Sequence, residues 1–222
     1  MDCKEAIASR RSIRRFLPEA VPRETIEAIL DLAARAPSGN NIQPWHVVVL
    51  TGPRLDALKT SLHARFLAGD HGDWPYHYYP RAWREPYLAR RRRIGVDLYQ
   101  SLGLAKDDKA GMAAQHARNF LFFDAPVGLF FALDRDMETG SWIDLGMFIQ
   151  TVMIAARGFG LDTCPQAAFA PYHEEIEAVT GLAPGKRLVC GMALGRADPD
   201  APENRVLSER EPAKTFTTFL EG

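Results

Sequence analysis

A dense group of basic residues lies near the start of the 222-residue chain. Directly after a predicted helix over residues 3–9, Ser12 is surrounded by four arginines: Arg10, Arg11, Arg14 and Arg15. Guanidinium groups bind phosphate oxygens bidentately, and a hydroxyl group adds a further donor. The segment is therefore a candidate phosphate site. A solvated basic patch at a helix C-terminus has the same composition and, on spacing alone, is the commoner explanation.

A second polar segment follows a predicted helix over residues 22–36, whose apolar positions recur at helical spacing. It reads Pro-Ser-Gly-Asn-Asn-Ile-Gln from residue 37 to residue 43 and precedes a predicted strand over 46–50. Amide and hydroxyl side chains in such a loop can present donors and acceptors to a heterocycle. Ordinary turn chemistry explains the same residues, because Asn and Gly tolerate left-handed backbone geometry.

The hydrophobic pattern around these segments predicts one α+β domain spanning residues 1–222. Helices are predicted over 54–67, 87–102, 106–122, 143–159 and 171–180, and strands over 126–133, 160–164 and 187–194. Aromatic residues mixed with Gly and Pro fill residues 68–86, which we interpret as a lid loop. A C-terminal extension over 210–222 carries three apolar residues, Phe216, Phe219 and Leu220.

Composition argues against several classes of partner. The net charge of -1 gives no overall attraction to nucleic acid or anionic membranes. No apolar run approaches the roughly 20 residues needed to span a bilayer, and the first residues lack the apolar core of a signal peptide. The three cysteines form no C-x-x-C pair, and the histidines lack metal-ligand spacing. We therefore expect a cytoplasmic protein that binds no metal, nucleic acid or membrane.

Together, the two polar segments resemble the nitroreductase family. They read Arg-Arg-Ser-Ile-Arg-Arg-Phe at 10–16 and Ala-Pro-Ser-Gly-Asn-Asn-Ile-Gln-Pro-Trp at 36–45. Gly-Leu-x-x-x-Pro at 160–165 looks like a later family segment, and residues 79–120 are similar to a nitrobenzoate-reductase-like branch. The resemblance covers nearly the whole chain. It implies a nitroreductase-like α+β fold, with a central mixed sheet surrounded by helices, in an intertwined homodimer.

The resemblance also implies that the chain binds FMN. Arg10 and Ser12 would contact the phosphate and the ribityl chain. Arg14 would reach the pyrimidine edge of the flavin ring, where a cation stabilises the reduced form. Arg11 matches a variable family position and would contribute mainly backbone. Two further basic residues near the chain end would complete the phosphate site, Arg210 and, in place of a family lysine, Arg205.

Two other segments would contact the flavin ring. One would come from the partner subunit and comprises Pro37, Ser38, Gly39 and Asn41, with Gln43 behind them. The other would run along the reactive face and comprises Pro165, Gln166, Ala167 and Ala168. The backbone N–H of Ala167 would point at flavin atom N5. The sequence departs from many relatives at Gly39, which removes a side-chain contact, and at Ala167–Ala168, where Glu-Gly is common.

The implied activity is electron transfer from NADH or NADPH, through the flavin, to a nitroaromatic, quinone or similar small acceptor. Donor and acceptor would use the same flavin face in turn, in a ping-pong cycle that needs no catalytic side chain. Two aromatic residues of the loop, Tyr79 and Trp83, would contact the acceptor. The arginine run at 90–93 is interpreted as a solvated helix face or as an attractor for the donor's phosphates.

Other functions remain open on the same fold. They include an enoate reductase, a reductive dehalogenase and a flavin-fragmenting enzyme. A protein of a different class, a non-catalytic flavin-binding carrier or sensor, is a further alternative. Product identification separates the enzymatic alternatives, and steady oxidation of NAD(P)H with added nitrobenzoate argues against a carrier.

Overall fold

A four-stranded sheet forms the centre of the fold. The computed structural model describes residues 1–221, and its strands are β1 (His46–Thr51), β2 (Val127–Asp134), β3 (Asp162–Gln166) and β4 (Lys186–Gly195). Their order is β1-β2-β4-β3, and each neighbouring pair is antiparallel. All of β2 except its last residue is buried, because its apolar side chains pack on both faces of the sheet.

Helices cover both faces of this sheet. They are α1 (Cys3–Ser9), α2 (Arg23–Ala33), α3 (Gly52–Leu67), α4 (Tyr87–Ser101), α5 (Lys109–Ala117), α6 (Thr139–Gly158) and α7 (His173–Thr180). One apolar core joins α2 and α6 to the odd-numbered side chains of β2, and the other joins α3 to Phe130 on the opposite face. Within residues 1–221, no helix is long and apolar enough to cross a membrane.

The α+β prediction is confirmed, but the expected mixed sheet is wrong for the described strands. The strands that run in the same direction never lie side by side, because β2 separates β1 from β4 and β4 separates β2 from β3. Within residues 1–221, a single parallel pairing occurs, an isolated bridge between Ser12 and Thr163 of β3. Apolar runs predict that a segment is a strand, but they carry no information about its direction.

Two predicted elements have different bounds in the structure. The helix predicted over 106–122 is α5 followed by a 3-10 segment (Arg118–Asp124), in which Phe122, Phe123 and Asp124 have φ values of 51°, 53° and 69°. Both phenylalanines are buried in this left-handed conformation, so tertiary packing here outweighs the local preference for a right-handed helix. The strand predicted over 160–164 begins instead at Asp162, because Gly160 adopts a left-handed φ of 69° that follows the end of α6.

An ion-pair network fastens the arginine-rich segment to this left-handed turn. Arg15 and Arg118 both donate to the Asp124 carboxylate, Arg118 at 3.0 Å, and Glu203 lies 3.9 Å from Arg15. Burial alone would raise the pKa of Asp124, but the hydrogen bonds and charges of the two arginines outweigh burial and lower this pKa. Arg15 therefore has a structural role.

We predict that Gly191→Ala destabilises the protein. Gly191 lies in β4 beneath the fully buried ring of Phe169, and an added Cβ would be 2.4 Å from that ring. Relieving this overlap requires the core to shift, so we expect the free energy of unfolding to fall by about 1–3 kcal/mol in urea denaturation. Gly185→Ala is the matched control, since no atom lies within 4 Å of the added carbon. Equal effects in the two variants would show that the overlap is not the cause.

We also predict that Asp124→Asn changes the pH dependence of stability. Asn keeps the size of the side chain and tolerates the left-handed backbone, but it carries no charge. Since the pKa of Asp124 is lower in the folded state than its ordinary 3.8, its charge stabilises the fold above that value. This contribution is lost as the pH falls through the folded-state pKa.

The measurement is the difference in unfolding free energy between the natural chain and Asp124→Asn, taken from about pH 6 to about pH 3. We expect this difference to shrink as the pH falls. Asp136→Asn serves as the control, because Asp136 is exposed and makes no ion pair among the described residues. A difference for Asp124→Asn that is constant across the range would contradict the network.

Candidate functional site

A cavity of about 840 Å³ opens between the arginine-rich segment, α4 and residues 206–211. Five of the residues predicted to hold a flavin line it together: Arg10, Arg11, Ser12, Arg14 and Arg210. Residues from the two ends of the chain thus meet at one site, which we call the basic cavity.

The backbone of the arginine-rich segment is held by β3 and by Asn204. The N–H of Ile13 donates to the carbonyl oxygen of Thr163 at 3.1 Å, next to the bridge between Ser12 and Thr163. The Oδ1 atom of Asn204 accepts from the backbone N–H of Arg14 at 2.7 Å and from that of Arg15 at 3.2 Å. The side-chain amide of Asn204 donates in turn to the carbonyl oxygen of Arg15 at 2.8 Å.

Asn204 is a functional residue that the sequence interpretation missed. It is only 3% exposed, and its side chain bonds backbone groups of Arg14 and Arg15, about 190 residues away, and the nearby carbonyl oxygen of Asp198. In the sequence it is one polar residue in a charged, proline-containing tail, where Asn usually forms a turn. Only its hydrogen bonds to the arginine-rich segment distinguish Asn204 from an ordinary turn asparagine.

On one side of the basic cavity, the guanidinium groups have no counterion among the described residues. Within the described part of the chain, none of Arg10, Arg11, Arg14 and Arg210 has a carboxylate oxygen within 4.0 Å. The pKa of Arg10 is lowered, first by burial and then by repulsion from Arg210. An anion placed between these groups would relieve both effects. The donor set of arginines with one hydroxyl therefore fits a phosphate.

The opposite wall of the cavity, on α4, has its charges paired. Arg90 lies 3.0 Å from Glu211, and Arg93 lies 3.4 Å from Glu209 and 3.1 Å from Asp97. In addition, the guanidinium carbon of Arg91 lies 4.8 Å from the centre of the Trp83 ring. Residues 90–93 are all exposed, as the interpretation of a solvated helix face predicts, but the hydrophilic run gives no sign of the partners that these arginines have in the tail and the loop.

The segment predicted to face the flavin continues from β3. Pro165, Gln166, Ala167 and Ala168 begin two residues after Thr163, which pairs with Ser12. Gln166 is buried and its amide donates to the carbonyl oxygen of Asn119 at 2.8 Å. The other three residues of the segment are partly exposed and do not line the basic cavity. The segment thus closely follows, along the chain, the residue that pairs with the cavity wall.

The loop over residues 37–43 lies elsewhere on the chain. The N–H of Gly39 donates to both carboxylate oxygens of Asp144 in α6, at 3.3 Å, and the Oγ of Ser38 accepts from the N–H of Gln43 at 3.0 Å. Asn41 and Gln43 have left-handed φ values of 57° and 50°. Pro37, Ser38, Gly39, Asn41 and Gln43 do not line the basic cavity. Left-handed Gln is uncommon, and such strain is often kept at ligand-binding loops.

The remaining predicted site residues are also outside the basic cavity. Arg205 donates to the carbonyl oxygen of Asp200 at 3.1 Å, and Ser208 rather than Arg205 lines the cavity. Tyr79 packs against Trp83 with ring centres 5.4 Å apart and is mostly exposed. Their loop is anchored by Tyr76, whose hydroxyl donates to the carbonyl oxygen of Val189 and whose ring contacts Trp142.

Known proteins resemble this chain over nearly its whole length. The sequence model described as the nitroreductase family matches residues 7–196. The 4-nitrobenzoate reductase of Pseudomonas putida is 40% identical over 219 residues, covering 99% of this chain and 96% of that protein. The structure of the FMN- and NADPH-dependent nitroreductase NfnB from Sphigopyxis sp. strain HMH matches with a TM-score of 0.96 and 39% identity, covering 100% of both chains.

A second solved structure agrees with the first. The FMN-dependent nitroreductase NfnB of Mycobacterium smegmatis, in complex with NADPH, matches with a TM-score of 0.93 and 31% identity over 98% of this chain and 97% of that one. The sequence and structure comparisons therefore agree with the family resemblance of the arginine-rich segment that lines the basic cavity. The chain belongs to the nitroreductase family.

Proposed function

We propose that this protein is an FMN-dependent oxidoreductase that transfers electrons from NADPH or NADH to a nitroaromatic or similar small acceptor. The observation that carries the proposal is a group of four arginines that line the basic cavity together with Ser12 and have no carboxylate partner within residues 1–221. Nitroreductases of known cofactor that share 31–39% identity with this chain support it. The whole chain would form one FMN-binding domain.

In this proposal, each wall of the site has a distinct task. Arg10, Ser12 and Arg210 hold the phosphate, and Arg11 contributes mainly backbone. Arg14 lies toward the pyrimidine edge of the ring, where a cation favours the reduced state. The segment Pro165–Ala168 runs along the ring and offers a backbone N–H from Ala167. When bound, FMN supplies the hydride-accepting and hydride-donating chemistry, and the chain supplies binding and orientation.

We propose that donor and acceptor occupy the same site in turn. The chain then needs to orient two planar ligands and exclude water, and it needs no side chain that acts as an acid, base or nucleophile. Tyr79 and Trp83, next to each other in the aromatic loop, are candidate contacts for the acceptor. Two relatives are named as 4-nitrobenzoate reductases, and this similarity supports a nitroaromatic acceptor for the present chain rather than an activated alkene or a halogenated tyrosine.

The first test is cofactor identity and turnover. We expect the purified protein to carry FMN, identified by mass spectrometry of the released flavin. In the absence of oxygen, we also expect steady oxidation of NADPH when 4-nitrobenzoate is present and none when it is left out. Release of FAD, or no flavin binding after reconstitution, would refute the proposal. Bound FMN with no turnover of any acceptor in an anaerobic screen would favour the carrier or sensor.

The second test concerns the basic cavity itself. Arg10→Ala removes a charged donor from the phosphate site, so we expect FMN affinity to fall by about 10- to 100-fold in a fluorescence titration. Arg54→Ala is the matched control, because Arg54 is exposed in the first turn of α3, away from the cavity. An equal loss in both variants would assign the effect to net charge rather than to the site.

We also propose that the protein is a homodimer whose sites are shared between subunits. β1 is an edge strand with an exposed Val49, and the C-terminal residues Phe216 and Leu220 are 73% and 94% exposed. Unpaired strand edges and exposed apolar side chains are usually covered by another chain. The loop over 37–43, which lies outside the basic cavity of its own chain, would complete the cavity of the partner.

Complementation tests this arrangement. One chain carries Arg10→Ala and Arg14→Ala, and the other carries Gly39→Trp, at a position where an added Cβ meets only an ordinary contact 3.9 Å from Asp144. Each homodimer should be nearly inactive. A purified heterodimer should regain one of two sites, because one site collects both defects and the other collects none. No recovery in a confirmed heterodimer would place the two segments in the same chain's site.

A further inference from the structure

The stretch of chain that carries Arg210 has no backbone support. Residues 208–211, which we call the strap, belong to no helix or strand and are exposed. Among the described residues, no backbone-to-backbone hydrogen bond joins residues 206–211 to the rest of the chain. The position of the strap, and with it that of Arg210, therefore depends on side-chain contacts.

Those contacts are two ion pairs with α4. Both Nε and Nη2 of Arg90 lie near one carboxylate oxygen of Glu211, at 3.1 Å and 3.0 Å. Nη2 of Arg93 lies 3.4 Å from Glu209. Residues three apart share one face of a helix, and residues two apart point to the same side of an extended chain. The spacing of the two arginines on α4 thus matches the spacing of the two glutamates on the strap. The two ion pairs lie on either side of Arg210.

Arg210, between the paired glutamates, is free to face the cavity. Its guanidinium donates to the hydroxyl of Ser208 at 2.7 Å and to the carbonyl oxygen of Glu209 at 2.9 Å, both within the strap. It also lines the basic cavity with Arg10. The strap consequently holds the conformation of Arg210, while α4 holds the strap.

The charge distribution argues against an alternative role for these arginines. Arg90 and Arg93 are surrounded by three carboxylates, those of Asp97, Glu209 and Glu211. Among the residues that line the cavity on this side, Arg90, Arg93 and Arg210 contribute three positive charges and these carboxylates contribute three negative charges, so their charges balance. Such a surface does not attract the phosphates of a nicotinamide donor, whereas the opposite wall, with its unpaired arginines, attracts an anion.

We propose that Arg90 and Arg93 are positioning residues for the phosphate site. By pairing with Glu211 and Glu209, they fix the strap so that Arg210 meets the cofactor phosphate opposite Arg10. This role rests on the proposed FMN function. It concerns only the phosphate end of the cofactor, so riboflavin, which lacks the phosphate, provides a probe that separates it from general effects on the fold or on the flavin ring.

Two neutralised variants test the proposal, Arg90→Gln/Arg93→Gln and Glu209→Gln/Glu211→Gln. The first removes positive charge near the cavity and the second removes negative charge. If the pairs position Arg210, both variants should weaken FMN binding, each by about three- to tenfold, because exposed ion pairs are individually weak. Riboflavin affinity should stay the same. If charge alone matters, FMN affinity should fall in the first variant and rise in the second, which would overturn the proposal.

A double-mutant cycle with Arg210→Gln sharpens the result. In that background, neither pair of substitutions should weaken FMN binding further, because the residue that they position is absent. Additive losses would overturn the positioning role. Arg92→Gln, at an exposed position on the same helix, controls for the loss of an arginine.

The same titrations separate the two proposals. If the natural chain binds neither FMN nor riboflavin, both the flavin function and the strap proposal fail. If it binds FMN more tightly than riboflavin but the glutamine variants do not change this preference, only the strap proposal fails. Because the strap variants change exposed side chains, far-UV circular dichroism and thermal unfolding should match those of the natural chain.

Discussion

Four arginines that line one cavity, without counterions in the described part of the chain, are the constraint on which this structure depends. Such an arrangement is unfavourable in the absence of an anion, because the guanidinium groups repel one another and Arg10 is partly buried. The fold meets this constraint with hydrogen bonds to the backbone of the arginine-rich segment rather than to its charged side chains. The bond from Ile13 to Thr163 and the amide of Asn204 fix the chain, and they leave the charged groups available.

The arginines around the basic cavity fall into two groups, those with and those without a carboxylate partner among the described residues. Arg15 is paired with Asp124 and Glu203, and on α4 Arg90 and Arg93 are paired with the tail, whereas Arg10 and its neighbours on the cavity have no carboxylate partner in the described chain. Paired arginines stabilise structure, and unpaired ones provide binding energy for an anion. The net charge of -1 conceals this division, since it averages over both groups.

Much of the architecture could be predicted from the sequence, because it follows from local pattern. Apolar runs located every strand, and helical spacing located α2, α3 and α4 to within a few residues. The phosphate-binding candidates were found because arginines at that spacing are chemically conspicuous, and Arg210 followed from the family resemblance. Five of the predicted residues do meet in one cavity.

What escaped prediction depends on contacts between distant residues. The left-handed turn at Phe122 and Phe123 is imposed by the core, against the local helical pattern. Asn204 acquires its role only when the chain ends meet, and the pairing of Arg90 with Glu211 joins residues 121 positions apart. Strand direction likewise depends on the path of the whole chain. No window of sequence contains this information.

Helix α6 has a geometric consequence for the site, although none of its residues lines the basic cavity. Near its N-terminus, Asp144 holds the loop over 37–43, and near its C-terminus, Arg157 contacts both Asp162 of β3 and Ser9, just before Arg10. Asp144 and Arg157 are 13 positions apart, which corresponds to about 20 Å along the helix axis. The length of α6 therefore sets the distance between the loop over 37–43 and the arginine-rich segment. Adding or removing one helical turn would change that distance by about 5.4 Å.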